Sequence, residues 1–366
     1  MATVQQSDAL SSLEKRLADY NLRGQWQIDA NRPQQVGRGA QGQVSIEPLP
    51  AGAPHLWQWA EMQPLLQNAS ESLTESYTAR RTLVLCNPKL PRGTTQTMVA
   101  SVQIIKPGEL AWAHRHTINA IRFAIQGGPD VFTVVDGEPL TMEPYDLLLT
   151  PGWSWHDHHN QSDKPAIWLD ALDVPFTLAL NQNFYEEFGE SAQEQTGESA
   201  PAASLARMTG GASRATVRPM RYAWADTLRS LKAAAAGKCP ASSPVDGVML
   251  EYLNPLTGGS VLPTLSCRVQ LLPPGFVGEK TRRTSSAIHF CVQGAGRTVF
   301  DSTELAWGQH DTIVAPNWSW HQHINASASE PAILFTITDV PILEVFGLYR
   351  EETRPSNSSG KNLPPR

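Results

Sequence analysis

At 366 residues the chain exceeds one ordinary small core, and its length suggests two or three domains, with two as the simplest reading. A composition of 41% hydrophobic and 17% charged residues is that of a soluble globular protein, with no apolar run of the roughly 18 residues a membrane span requires. The net charge of -6, with Lys and Arg dispersed, leaves no basic footprint for nucleic acid.

The first residues carry acids and lack a basic start followed by an apolar stretch, so no secretory signal is expected and the cytoplasm is the expected compartment. Leucines at 10, 13 and 17, preceded by Ser and Asp, predict an amphipathic helix over Ser7–Tyr20 within an N-terminal arm, residues 1–75. From about residue 80 the pattern changes to short β-type segments (RTLVLC, MVASVQII, IRFAIQ) separated by Gly and Pro, the signature of a sandwich or barrel. This first β-rich domain is expected over 76–189. Residues 190–216 are rich in Ser, Ala, Gly, Gln and Glu and read as a linker, 217–350 as a second domain, and the polar 351–366 as a flexible tail. Cys86, Cys239, Cys267 and Cys291 form no CxxC pair, which suits reduced, mostly buried thiols better than a disulfide framework or a zinc site.

The two β-rich domains are copies of one another. SVQIIKPGELAWAHRHTINAIRFAIQGG at 101–128 recurs as RVQLLPPGFVGEKTRRTSSAIHFCVQGA at 268–295, an offset of 167. LLLTPGWSWHDHHN at 147–160 recurs as TIVAPNWSWHQHIN at 312–325, an offset of 165. Two blocks in the same order indicate duplication rather than chance.

His114 and His116 stand two apart on a β-type segment, so both project from one face and can share an ion. A second strand-like segment supplies His156. Three neutral imidazoles suit iron, copper, nickel or zinc and leave coordination positions open. Gly108, His114, His116 and Gly127, followed by Pro151, His156 and Asn160, resemble the two motifs of the cupin superfamily. That resemblance implies an all-β dominated fold of two jelly-roll barrels behind an N-terminal helical arm. Ala120 stands where the cupin glutamate ligand is expected, so a metal here keeps its full charge and favours an anionic chelating substrate. In the second copy Thr281 and Arg283 replace His114 and His116, while His321 and His323 remain. Metal is therefore expected in the first cupin only, with the second acting in stability or assembly, or alternatively as a degenerate small-molecule pocket.

The words RRTLVLCNP at 80–88, VQIIKPGELAWAHRHTINAIRF at 102–123 and WSWHDHHN at 153–160 resemble the gentisate 1,2-dioxygenase family, which includes salicylate and 1-hydroxy-2-naphthoate dioxygenases. The resemblance covers nearly the whole chain. It implies one Fe(II) per chain on His114, His116 and His156, a small aromatic acid that chelates it through carboxylate and ortho-hydroxyl, and O2 as co-substrate. The ring is expected to break between the carboxyl-bearing and hydroxyl-bearing carbons, with both oxygen atoms entering the product. A homo-oligomer, by family a homotetramer, is also implied.

Arg122 keeps the parity of His116, and its planar fork suits a carboxylate. His158 shares a face with His156 and is a candidate partner for the substrate hydroxyl, whereas His159 points away. Gln103 matches a family position that contacts substrate or oxygen. Asp170 matches a family aspartate that orients a pocket group, with Asp173 as the competing choice. Arg80 and Arg81 are adjacent, so at most one faces the pocket. Trp112, Trp153 and Trp155 are candidate walls of the site, though tryptophans on strands are more often core. Two other readings remain: a non-catalytic bicupin that binds a ligand, and another metal-dependent cupin enzyme such as a decarboxylase or isomerase.

Overall fold

The computed structural model describes residues 2–24, 47–73, 81–196, 221–238 and 242–355. Residues 1–49 and 50–366 form separate compact units. In the first, Ala2–Asp19 is helical, in line with the predicted amphipathic segment. Among the described residues no helix is long and apolar enough to cross a membrane.

The second unit contains both barrels. In the first, a six-stranded sheet that includes Val99–Ile105, Ala120–Gln126, Leu147–Thr150 and Ala166–Leu172 faces a five-stranded sheet that includes Leu110–His116, Gly128–Val135 and His156–Asn160. The second barrel repeats this plan with a seven-stranded and a five-stranded sheet, whose central strands include Ala287–Gln293, Ala332–Thr338 and His321–Ile324. Both barrels are antiparallel, so strands can alternate inward and outward side chains along each barrel wall.

Apolar burial divides accordingly. Trp168, Leu148, Ala124 and Val131 fill the first barrel, and Trp307, Leu334 and Ile313 fill the second. A third cluster joins the larger sheets of the two barrels. At its centre Phe123 stacks on Phe335 with ring centroids 3.9 Å apart and planes 9° from parallel.

Two paired polar clasps bridge the same boundary. Thr97 donates to Asp339 at 2.6 Å, and Thr264 donates to Asp173 at 2.6 Å. Each aspartate also accepts a backbone N–H from its own barrel, from Ser286 and Asn119 respectively. Asp173 thus belongs to the clasp.

The barrels also exchange strands. His55–Trp57, which precedes the first barrel, pairs with Thr312–Ala315 of the second. Arg221–Tyr222, which follows the expected linker, pairs with Leu147–Leu148 of the first. The expected tail starts later than its composition suggests, because Glu351–Arg354 is a strand paired with Lys280–Arg283. Within the expected linker, Gln193 is buried and donates to the Val134 carbonyl at 3.1 Å and to Asp157 at 2.9 Å. Its residues 197–216 and Cys239 lie outside the described residues. Cys267 and Cys291 are buried and Cys86 is exposed. It follows Val84, where the strand leaves the sheet edge.

Candidate metal centre and aromatic-acid pocket

His114 and His116 lie on Leu110–His116, and His156 opens the neighbouring strand His156–Asn160. A register shift between Ala111 and His114 brings His114 opposite His156. The turn ahead of His156 is tightly held. Gly152 packs against the Thr117 carbonyl with no room for a Cβ. Trp153, in the left-handed region at φ 69°, donates its N–H to the His116 carbonyl at 2.6 Å. The turn therefore ties the third imidazole to the strand that carries the other two.

Ring centroids are 4.3 Å apart for His114 and His156, 4.8 Å for His116 and His156, and 5.7 Å for His114 and His116. Each ring is oriented from behind. Nδ1 of His114, His116 and His156 donates to the carbonyls of Trp112 (2.8 Å), Ile118 (2.9 Å) and Ser154 (3.0 Å). A carbonyl can only accept, so Nδ1 carries the proton and Nε2 is left as the basic nitrogen. In His156 that Nε2 is buried without a hydrogen-bond partner among the described residues, an arrangement that suits a bound cation. Burial holds the His156 pKa well below the ordinary histidine value, with His116 and Arg122 adding to the effect, so the ring is neutral near pH 7. The three side chains fit a divalent metal by donor type, tautomer and convergence.

Arg122 points into the same barrel from Ala120–Gln126. It pairs in register with Asp170, donates Nη1 to Thr150 Oγ1, and has Nε 3.5 Å from Asp170 Oδ1. Asp170 also accepts from Trp168 Nε1 at 3.0 Å, so the carboxylate is fixed before it fixes the guanidinium. His158 is buried with its Nδ1 2.8 Å from Thr133 Oγ1. The Thr133 hydroxyl is directed to Met142 Sδ at 3.4 Å, which leaves its oxygen to accept from His158 Nδ1. Nε2 is then the basic nitrogen of His158, as in the trio. Gln103 lies across from Trp168 on the inward parity and accepts from Thr82 Oγ1 at 3.3 Å.

Several expected roles change. Arg81 pairs in register with Ile104, on the parity opposite Gln103, and its guanidinium meets Glu109 at 2.7 Å in a buried ion pair. It does not join the histidines. Arg80 lies outside the described residues. Trp153 and Trp155 do not wall the site but sandwich Arg115, whose guanidinium carbon is 4.3 Å from each ring centroid, while Arg115 also pairs with Glu186. Trp112 is about half exposed. His159 stacks on Phe132 and pairs with Asp157 at 2.5 Å, the structural role expected of it. Sequence reasoning missed Thr133 and Thr150, whose only signal is inward parity on neighbouring strands. It also missed Tyr185, whose ring stacks 5.4 Å from His114 and carries no sequence signal. A second trio, His289, His321 and His323, converges in the other barrel, although the replacement of the HxH pair by Thr281 and Arg283 led to a metal-poor expectation.

Residues 101–172 match the cupin domain family. Over 95% of its length the chain is 40% identical to a 1-hydroxy-2-naphthoate 1,2-dioxygenase of Nocardioides sp. (strain KP7), covering 88% of that protein. It is also 40% identical to a 5-aminosalicylate 1,2-dioxygenase of Comamonas sp, with 84% of each chain covered. The crystal structure of a salicylate 1,2-dioxygenase from Pseudaminobacter salicylatoxidans superposes with a TM-score of 0.80 at 29% identity, over 94% of this chain and 97% of that one. The chain belongs to the gentisate and salicylate 1,2-dioxygenase family. This dioxygenase is accordingly a bicupin oxidoreductase that cleaves aromatic rings. Its departure from the general cupin motif, Ala120 in place of the glutamate, now has a structural setting. Ala120 starts the strand that delivers Arg122, and among the described residues no carboxylate joins the three imidazoles in the metal-capable group.

Proposed function

We propose that this dioxygenase uses one Fe(II), held by His114, His116 and His156, to open the ring of an aromatic acid with a hydroxyl ortho to its carboxylate. Cleavage falls between the carboxyl-bearing and hydroxyl-bearing carbons, and both atoms of O2 enter the product. What carries this assignment is the shared direction of three imidazoles, each with Nδ1 tied to a carbonyl, beside a buried arginine fixed by Asp170 and Thr150.

Gentisate, salicylate, 5-aminosalicylate and 1-hydroxy-2-naphthoate, the compounds named for the relatives, all carry that ortho pair, which suits a cation ringed by uncharged ligands. The chemistry that bound iron(II) would supply is polarisation of the phenolate oxygen and a route for electron density from ring to dioxygen. The protein's own residues do the rest. Arg122 receives the carboxylate, and the Asp170 and Thr150 contacts keep its fork from turning away. His158, with Nε2 basic, takes the proton of the substrate hydroxyl and passes positive charge to a ring backed by Thr133. Gln103 orients substrate or oxygen from the neighbouring strand, while Trp168 and Leu148 keep bulk water from the barrel interior.

Anaerobic loading with Fe(II), followed by oxygen uptake with gentisate, salicylate, 5-aminosalicylate and 1-hydroxy-2-naphthoate, tests the assignment. Uptake matching substrate loss mole for mole is expected with at least one of them. Iron-loaded protein that consumes no oxygen with any would return the chain to the reading of a ligand-binding bicupin.

A further inference from the structure

In the second barrel the strand His321–Ile324 repeats the histidine pair of the first. His321 and His323 occupy the places of His156 and His158, and the ring separations agree, 5.7 Å against 5.8 Å. His321 Nδ1 donates to the Ser319 carbonyl at 2.9 Å, as His156 does to that of Ser154. His323 Nδ1 lies 2.9 Å from Thr298 Oγ1, as His158 lies 2.8 Å from Thr133. The third histidine comes from elsewhere. His289 occupies the repeat position of Arg122, with its ring 4.7 Å from that of His323 and 6.3 Å from that of His321. Its Nδ1 is 2.9 Å from Thr336 Oγ1, and its buried Nε2 has no hydrogen-bond partner among the described residues. One nitrogen from each ring lies within 4.8 Å of the others, the same convergence as in the first barrel.

We propose that His289, His321 and His323 hold a first-row divalent cation as a closed structural site in the second barrel. A buried imidazole nitrogen with no donor to accept from is costly, and a cation removes that cost. The neighbouring charge permits a cation. Arg283 reaches the trio from the place of His116, but it is matched by two carboxylates, Glu351 at 2.8 Å and Asp246 at 3.2 Å. The adjoining cavity, bounded by His289, His321, Arg283 and Thr336, measures about 20 Å³. That is space for an ion's ligand water and far too little for an aromatic ring, so this site takes metal without substrate.

Stripped protein dialysed against Co(II), with bound metal counted per chain, separates the two centres. His114→Ala/His116→Ala protein leaves the first centre one of its three ligand histidines and is expected to retain about one ion per chain, with a visible d–d absorption band. Adding either His289→Ala or His321→Ala should remove both ion and band. Chelation should lower the melting temperature of the double variant and leave that of the triple variants unmoved. A double variant that binds no Co(II), or an ion that persists in both triple variants, would overturn the proposal.

Discussion

The two barrels of this chain place a histidine pair at the same strand end and then part company over the residues that face it. In the first, the position on the adjacent sheet holds Arg122, and the strand beside His156 supplies two more imidazoles. In the second, that position holds His289, and the corresponding strand offers Thr281 and Arg283. Cationic and metal-binding side chains have changed places across one barrel interior. The result is one centre whose arginine is held by Asp170 and Thr150, and another whose arginine is paired with Glu351 and Asp246. A duplicated scaffold can thus turn a reaction site into a staple without altering its backbone plan.

The sharpest break in that comparison is His116→Ala. It should cost the first barrel its metal and lower ring cleavage by on the order of 1,000-fold or more, read by iron content together with oxygen uptake. Next comes Arg122→His, which writes the second barrel's residue into the first. Iron should stay, while KM for the aromatic acid rises about 10- to 100-fold through loss of charge-assisted hydrogen bonds. An unchanged KM would remove Arg122 from carboxylate binding.

A smaller effect is expected for Thr133→Val, which frees His158 Nδ1 from its acceptor. A loss of about 10-fold in kcat is anticipated, with the acid limb of the pH profile displaced and iron content unchanged. A kcat loss with an unmoved profile would mark Thr133 as a packing residue only.

The smallest difference concerns the clasps. Burial raises the Asp339 pKa from 3.8 to about 6, while hydrogen bonds from Thr97 and Ser286 oppose the shift. A carboxyl whose folded pKa is raised stabilises the fold fully below its unfolded pKa, and that stabilisation is lost as pH climbs through about 6. Between pH 4 and 7, Asp339→Asn should therefore gain on the parent protein by on the order of 1–3 kcal/mol, visible as a changing difference in melting temperature. Asp173→Asn should move in the same direction, since burial raises that carboxyl too.

Much of the first centre was legible because its chemistry follows strand parity. The HxH pair, the third histidine after a tight turn, and an arginine in an otherwise apolar strand all announce themselves. His289 did not, for it stands at the place of an arginine rather than of a ligand, and a comparison confined to ligand positions passes over it. Arg81 was ambiguous in sequence and became clear only through register with Ile104 and the partner Glu109, far enough along the chain that no local pattern links them. The exchanged strands were invisible for a different reason. Segments of two or three residues, such as Arg221–Tyr222 and His55–Trp57, are too short to display alternation.

Those same short strands decide how the molecule can be taken apart. Cutting the gene between the copies would strip each half of an edge segment contributed by the other and bare the apolar wall around Phe123 and Phe335, inviting aggregation. Recombination can therefore transmit the duplicated halves only as a married pair, which gives the barrel without the predicted chemistry a lasting tenure in the lineage.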